Sequence, residues 1–175
     1  MLLYTETQRL PRGGQLILAM ALLCVVAPIF FLPGQAEAEG KEVFVSYFLG
    51  VLVLSFMMFF TSLQTELKQD TLHVRLYFPL PLFGRRLPLK QLISVEVVTF
   101  RPFRDAMGWG FHYGPFRGRC CRYFNMGGTG GVYLCDDHNR QFIIGSQDPE
   151  ALAEVIEKAR TELLLRSARA ENFMS

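Results

Sequence analysis

The sequence is poor in the residues that build disulfide frameworks and metal centres. It contains four cysteines and three histidines among 175 residues, and no two cysteines have the C-x-x-C spacing. So few cysteines without regular spacing predict reduced thiols rather than disulfide bonds. Neither sign of charge predominates, because the net charge is only +2. A balance this small does not predict a nucleic-acid partner.

Charged residues are missing altogether from two long hydrophobic runs. Residues 16–32 (LILAMALLCVVAPIFFL) and residues 43–63 (VFVSYFLGVLVLSFMMFFTSL) contain no charged side chain, and a polar connector of nine residues, GQAEAEGKE, joins them. As a helix, the shorter run would measure about 25 Å, close to the lower limit for a bilayer core of roughly 30 Å. The pattern predicts that residues 1–63 form a short tail and a two-helix transmembrane hairpin.

The basic residues around these runs predict an orientation. Arg9 and Arg12 lie near the start of the first run, Lys68 and Arg75 follow the second, and the connector carries three acidic residues against one basic residue. The positive-inside rule then predicts a multi-pass protein of the inner (plasma) membrane with both termini in the cytoplasm. The alternative is a signal peptide cleaved at an A-x-A site over residues 36–38, but the apolar run is longer than a usual signal core.

Residues 64–175 follow a different pattern, which predicts a cytoplasmic domain. Apolar and polar residues alternate in short segments separated by turn signals, as in half-buried β-strands. Seven segments fit: LQTELKQD, TLHVRLYF, RRLPLKQL, ISVEVVTF, CRYFNM, GVYLCDD and RQFIIGS. An amphipathic helix over about 149–169 follows, with Asp148 as its N-cap and Pro149 at its first position. The predicted fold class is α+β: the hairpin, then a seven-stranded antiparallel barrel or sheet capped by the C-terminal helix.

This order of elements resembles a known family. Two hydrophobic spans, seven strands and a capping helix are similar to the bacterial membrane-anchored pleckstrin-homology-like (PH-like) proteins. The runs that carry the resemblance are ISVEVVTFRPFRDAMGWGF, RYFNMGGTGGVYL and RQFIIGSQDPEALAEVIEKA, within about residues 60–160. The resemblance implies a PH-like fold and a role as a binding module, and it implies no catalytic residue.

A glycine-rich segment, Gly108–Leu134, raises four functional possibilities. A phosphate cradle would need a helix after the glycines, but strand-like sequence follows them. Cysteine or histidine catalysis would need a base beside a nucleophile, and the spacing does not require His112 or His73 to meet a cysteine. A metal site could draw on His112, Cys120, Cys121, Cys135 and His138. Adjacent cysteines on a strand point to opposite faces, so Cys120 and Cys121 do not readily share one ion.

The fourth possibility is single-stranded nucleic acid, since arginines alternate with aromatic residues in this segment. The arginines are Arg117, Arg119 and Arg122, and the small net charge counts against this partner. A structural role is favoured instead. Glycines permit tight turns and close backbone approach, and Trp109 is predicted to be a packing anchor. We expect the segment to close the β-domain, with no catalytic residue, cofactor or metal.

Five basic residues form the candidate binding site. Residues 64–122 hold ten Lys and Arg against four Asp and Glu. The residues proposed to contact anionic lipid head groups, here called the basic strip, are Arg85, Arg86, Lys90, Arg101 and Arg104. Each basic residue near an anionic leaflet contributes about 1 kcal/mol. The alternative is a solvated edge that only follows the positive-inside bias.

The predicted function is non-enzymatic: an integral membrane protein that presents a PH-like domain to protein partners or to its own copies. Exposed edge strands and the groove beside the C-terminal helix are the expected docking places. A second hypothesis is an anionic-lipid-sensing module that uses the basic strip. A third is a membrane-embedded enzyme that uses His112, Cys120 and Cys121.

Overall fold

Nine strands arranged in two sheets form the body of the protein. The computed structural model describes residues 2–16, 19–20, 23–24, 38–78, 80–105 and 108–174. The strands are β1 (Leu2–Arg9), β2 (Ser62–Lys68), β3 (Thr71–Phe78), β4 (Leu80–Pro88), β5 (Leu92–Thr99), β6 (Gly110–Phe116), β7 (Arg119–Asn125), β8 (Gly130–Asp136) and β9 (Gln141–Gly145). The labelled helices are α1 (Ala38–Phe59), the single turn α2 (Pro102–Asp105) and α3 (Pro149–Met174), with a 3-10 turn at Leu89–Gln91. The described residues 12–16, 19–20 and 23–24 are also helical.

The four-stranded sheet has the order β1-β2-β3-β4, and every pairing in it is antiparallel. Strict alternation separates its two faces, because successive side chains on a strand point to opposite sides. Leu63, Leu67, Leu72 and Val74 are fully buried on the inner face. The alternate positions Gln64, Glu66, His73 and Arg75 are polar or charged and only half-buried, so they line the outer face.

The five-stranded sheet has the order β5-β8-β9-β7-β6 and contains one parallel pair, β7 with β9. Strand β9 returns antiparallel beside β8 after a short turn, and so it lies between β8 and β7. Gly131 allows this close pairing, because a Cβ at that position would lie 2.6 Å from the carbonyl oxygen of Ile144. Residues 126–129, which precede β8, therefore connect β7 to β8, two strands that β9 separates in the sheet.

One hydrophobic core joins both sheets to α3. It includes Leu72 and Val74 from the four-stranded sheet, Phe142 from the five-stranded sheet, and Leu152 and Ile156 from the helix. The helix begins as its sequence predicts. The side chain of Asp148 accepts a hydrogen bond of 3.0 Å from the backbone N–H of Ala151, which satisfies one free donor of the first turn.

The predicted fold class is wrong in its architecture. Strands lie in all seven predicted segments, but they belong to two sheets together with β1 and β6, and β7 pairs with β9 in parallel. The sequence prediction missed β1 because residues 2–9 were taken for a tail before a membrane helix. It missed β6 because the two glycines and the proline in GFHYGPF are typical of a loop.

The predicted transmembrane hairpin, and the multi-pass location in the inner membrane that followed from it, are also wrong. Across the ranges given above, the structure contains no helix with the length and apolar character needed to cross a membrane. The uncharged run over 43–63 is divided, because α1 ends at Phe59 and β2 begins at Ser62. Most of the first run, 16–32, lies outside the described residues.

The carboxylate of Glu6 helps to attach strand β1 to the turn between β9 and α3, and the Gln8 amide donates to the carbonyl oxygen of Gly145 beside it. Glu6 accepts hydrogen bonds from the hydroxyl of Ser146 at 2.6 Å and from the backbone N–H of Gln147 at 2.7 Å. It also accepts from the Tyr4 hydroxyl at 2.9 Å and from the Gln8 amide at 3.1 Å. The first two bonds connect the edge of the four-stranded sheet to the turn between β9 and α3, and the other two hold the carboxylate within β1.

We expect Glu6→Ala to lower the free energy of unfolding by about 2–3 kcal/mol, because hydrogen bonds to a charged group are worth more than neutral ones. Urea denaturation of the full-length chain measures the change. Thr5→Ala is the matched control, since Thr5 is exposed on the same strand. Equal stability of the two variants would contradict the role given to Glu6.

Candidate functional site

The glycine-rich segment contains β6, β7 and most of β8, all strands of the five-stranded sheet. β6 and β7 form a hairpin whose turn residues, Arg117 and Gly118, have φ values of 49° and 77°. Trp109 packs against the core and meets Phe103 edge-on at 4.8 Å between ring centroids. A Cβ at Gly14 would lie 2.9 Å from the Trp109 ring. The packing role predicted for Trp109 is confirmed.

The cysteines and histidine of this segment face different surroundings. Cys120 is exposed, whereas Cys121 is fully buried and donates to the Gln141 side chain at 3.1 Å. Burial raises the pKa of the Cys121 thiol to about 11, which disfavours the thiolate that a nucleophile needs. The Nε2 atom of His112 lies 3.0 Å from the carbonyl oxygen of Gly108. In the part of the chain that the structure describes, no three His, Cys, Asp or Glu side chains are close enough to share a metal ion.

The arginines of the segment are engaged within the chain itself. Arg122 lies 5.7 Å from the centroid of the Tyr113 ring and 5.3 Å from that of Phe142. Arg117 lies 5.2 Å from the Phe116 centroid and forms a 2.7 Å ion pair with Glu96. The alternation of arginine and aromatic residues is thus accounted for by intramolecular packing.

The residues of the basic strip lie on three different elements or their ends. Arg85 and Arg86 lie on β4, the edge strand of the four-stranded sheet. Lys90 lies in the 3-10 turn and lines a groove of about 490 Å³ together with residues of α3. Arg101 precedes α2, and Arg104 lies within it, 3.7 Å from Asp105. A lipid contact made by all five residues stays a prediction, and the fold divides them among three places.

The structure instead places a third arginine beside Arg85 and Arg86. A cavity of about 270 Å³ opens at the edge of the β3–β4 hairpin. This cavity, here called the arginine cavity, is lined by Arg75, Pro81, Phe83, Gly84, Arg85 and Arg86. Arg75 was missed because it is ten residues from Arg85 in sequence, and only the hairpin register pairs it with Gly84. Alternation in TLHVRLYF did predict that Arg75 and His73 share a face.

The outer face around the cavity is electrostatically positive. His73 pairs in register with Arg86 on one side and with Glu66 on the other. Burial lowers the pKa of His73, and the charges of Arg75, Lys68 and Arg86 lower it further, against the opposing effect of Glu66. The carboxylate of Glu66 is itself paired with Lys68 at 2.6 Å.

Helix α1 presents an apolar surface that the rest of the described chain leaves uncovered. Tyr47 is 65% exposed, Phe56 63% and Val45 60%. None of the described α1 side chains belongs to either hydrophobic core. Ser46 and Gly50 lie one helical turn apart, and a Cβ at Gly50 would meet nothing within 4 Å.

We expect a thiol reagent to modify Cys120 of the folded chain rapidly and Cys121 at least about 100-fold more slowly than an ordinary thiol of pKa about 8.5. The reason is the burial and raised pKa of Cys121. Mass spectrometry of digested samples taken during labelling at pH 8 measures both rates, and labelling in urea is the control. Equal rates in the folded chain would be inconsistent with this environment.

We expect His73 to make stability fall on acidification. Its folded pKa lies below the unfolded value of about 6.5, so the unfolded chain binds more protons and stability decreases as pH drops below that value. His73→Gln should therefore lose less free energy of unfolding than the wild type between pH 7.5 and 5.5. Exposed His138, changed to Gln, is the control. An unchanged pH dependence in His73→Gln would refute the assignment.

Comparison of the chain with protein-family models, with curated proteins and with solved structures finds no match. The resemblance to PH-like proteins therefore stays a prediction, and the candidate sites rest on their own geometry.

Proposed function

We propose that this is a non-enzymatic protein that associates with its own copies, with α1 of one copy packed against α1 of another. The observation that carries the proposal is the exposed apolar surface of α1. Exposed apolar patches of this kind mark interaction sites in folded proteins. Most helical stability in proteins also comes from packing, so a helix whose apolar side chains are left exposed by the other described residues is stabilised by an external surface.

A second copy is the partner that the chemistry of α1 favours. Residues 43–59 carry no charge, so nothing on this stretch selects a complementary charged partner. An apolar helix is complementary to itself, and two-fold symmetry lets the same surface serve both copies. Ser46 and Gly50 leave a shallow notch in that surface, which permits two helix backbones to approach closely.

The energetics support association. Large apolar side chains that are at least 39% exposed on or just after α1 include Val45, Tyr47, Leu49, Leu52, Val53, Phe56 and Phe60. Full burial of each such side chain contributes about 1.5–3 kcal/mol. The free energy gained by even partial burial of these side chains on both copies is comparable with the roughly 4–15 kcal/mol that association costs in lost translational and rotational freedom.

The surroundings of the polar residues in the glycine-rich segment support a non-enzymatic role. Cys121 is hydrogen-bonded to Gln141, and its pKa is raised rather than lowered. A nucleophilic cysteine instead sits in an electropositive, partly exposed environment that lowers its pKa. The ring of His112 is engaged by a backbone carbonyl.

We expect Gly50→Leu to weaken self-association at least about tenfold, because the leucine fills the notch and keeps the two helices apart. Light scattering after size exclusion measures the protein mass of the full-length chain in a mild non-ionic detergent, with the detergent mass subtracted. The wild type should show two or more chains per particle at micromolar concentration. Gly13→Leu is the matched control, since a Cβ there also meets nothing within 4 Å.

A wild-type mass of one chain at every concentration would overturn self-association. Equal masses for wild type, Gly50→Leu and Gly13→Leu, all above one chain, would place the contact elsewhere than on α1.

A further inference from the structure

The arginine cavity has the chemistry of an anion site. Three of its six lining residues are arginines, and the guanidinium group offers five N–H donors in a planar fork that matches phosphate and carboxylate oxygens. Within residues 62–90, five Lys and Arg stand against two Asp and Glu. The local charge is thus clearly positive although the whole chain is nearly neutral.

The strand register brings Arg75 and Arg86 to the outer face of the sheet, whereas Arg85, opposite the buried Val74, points to the inner face. Arg75 on β3 pairs with Gly84 on β4, and the absence of a side chain at Gly84 leaves room beneath Arg75. A Cβ at Gly84 would lie 3.6 Å from Cγ of Arg75. The register of β3 and β4 shifts between Leu76 and Tyr77, so a bulge interrupts the pairing next to the cavity. Such bulges redirect side chains and break the regular sheet surface.

An aromatic contact fixes the wall of the cavity. Phe83 stacks on Phe111 of the five-stranded sheet with 5.5 Å between ring centroids and 25° between ring planes. Phe111 in turn contacts the buried Phe124 at 4.8 Å. Edge strand β4 is therefore held against the second sheet, and the backbone that carries Arg85 and Arg86 is fixed before any ligand arrives. A site held in this way loses less entropy on binding.

The arginines of the cavity form no ion pair with the described residues, although the charge of Arg75 lowers the pKa of Glu66. Among the residues that the structure describes, none of Arg75, Arg85 and Arg86 has a carboxylate within 4 Å. The carboxylate on the neighbouring strand, Glu66, is occupied by Lys68 at 2.6 Å. The guanidinium groups of Arg75 and Arg86 thus remain available to an external anion.

From this geometry we propose that the arginine cavity binds a phosphate group through Arg75 and Arg86, which share the outer face of the sheet. A volume of about 270 Å³ holds several waters at about 30 Å³ each, which is room for one hydrated oxyanion. The phosphate belongs either to a soluble phosphomonoester or to a lipid head group, since both present the same oxygens. Lys90, Arg101 and Arg104 take no part, and the site is independent of the α1 contact.

The test measures binding of inorganic phosphate to the full-length chain by titration calorimetry. The double variant Arg75→Gln/Arg86→Gln should bind at least about tenfold more weakly, because each loses a charge-assisted hydrogen bond. Arg101→Gln/Arg104→Gln removes the same charge elsewhere and should bind as the wild type does. Arg86→Gln alone, at an exposed position, should weaken binding without threatening the fold, and thermal melting checks that each variant is folded.

The source of the phosphate is resolved by flotation with vesicles of phosphatidylcholine, with and without phosphatidic acid. Selective flotation with phosphatidic acid, suppressed by added inorganic phosphate, supports the site with a lipid source. Phosphate binding without selective flotation supports it with a soluble source. The proposal is overturned if the wild type binds neither probe, if Arg75→Gln/Arg86→Gln binds as the wild type does, or if Arg101→Gln/Arg104→Gln loses as much. Gly50→Leu should retain phosphate binding, so failure here is distinct from failure of self-association.

Discussion

Burial of one face of the four-stranded sheet determines what the other face carries. The inner positions Leu72, Val74 and Leu76 pack into the core that joins both sheets to α3. Because the side-chain period of a strand is two, this packing turns His73 and Arg75 outward. The antiparallel register with β4 then sets Arg86 and Gly84 opposite them. The arginine cavity is thus a consequence of core packing. A shift of one residue in the register of β3 would remove both the core packing and the cavity.

Local signals predicted much of the fold. Alternation located seven strand segments, and Asp148 with Pro149 located the start of α3, because these features depend on residues close in sequence. The parallel pairing of β7 with β9 depends on the chain passing between separated strands, and no local pattern encodes it. The apolar run over 43–63 misled because hydrophobicity alone does not distinguish a helix from the buried strand that follows it. Leu63 is as apolar as its neighbours but belongs to β2.

The candidate site was only partly predictable for a similar reason. Net charge along the chain pointed to Arg85 and Arg86, but it grouped them with Arg101 and Arg104, which lie near α2. Closeness in sequence does not predict closeness in space when strands fold back on one another. Arg75 was visible as an outward residue of β3, yet its nearness to Arg85 follows from the hairpin register and from the irregularity after Leu76.

The bonds of Glu6 have a consequence for the order of assembly during synthesis. Ser146 and Gln147 lie 140 and 141 residues further along the chain. At about 5–20 residues per second, a ribosome makes the partners of this carboxylate roughly 7–28 seconds after the strand itself. Strand β1 can pair with β2 once residues 62–68 are made, but its bonds to the β9–α3 turn must wait for that turn. Closing such a long loop is slow, so these bonds are expected to be among the last to form.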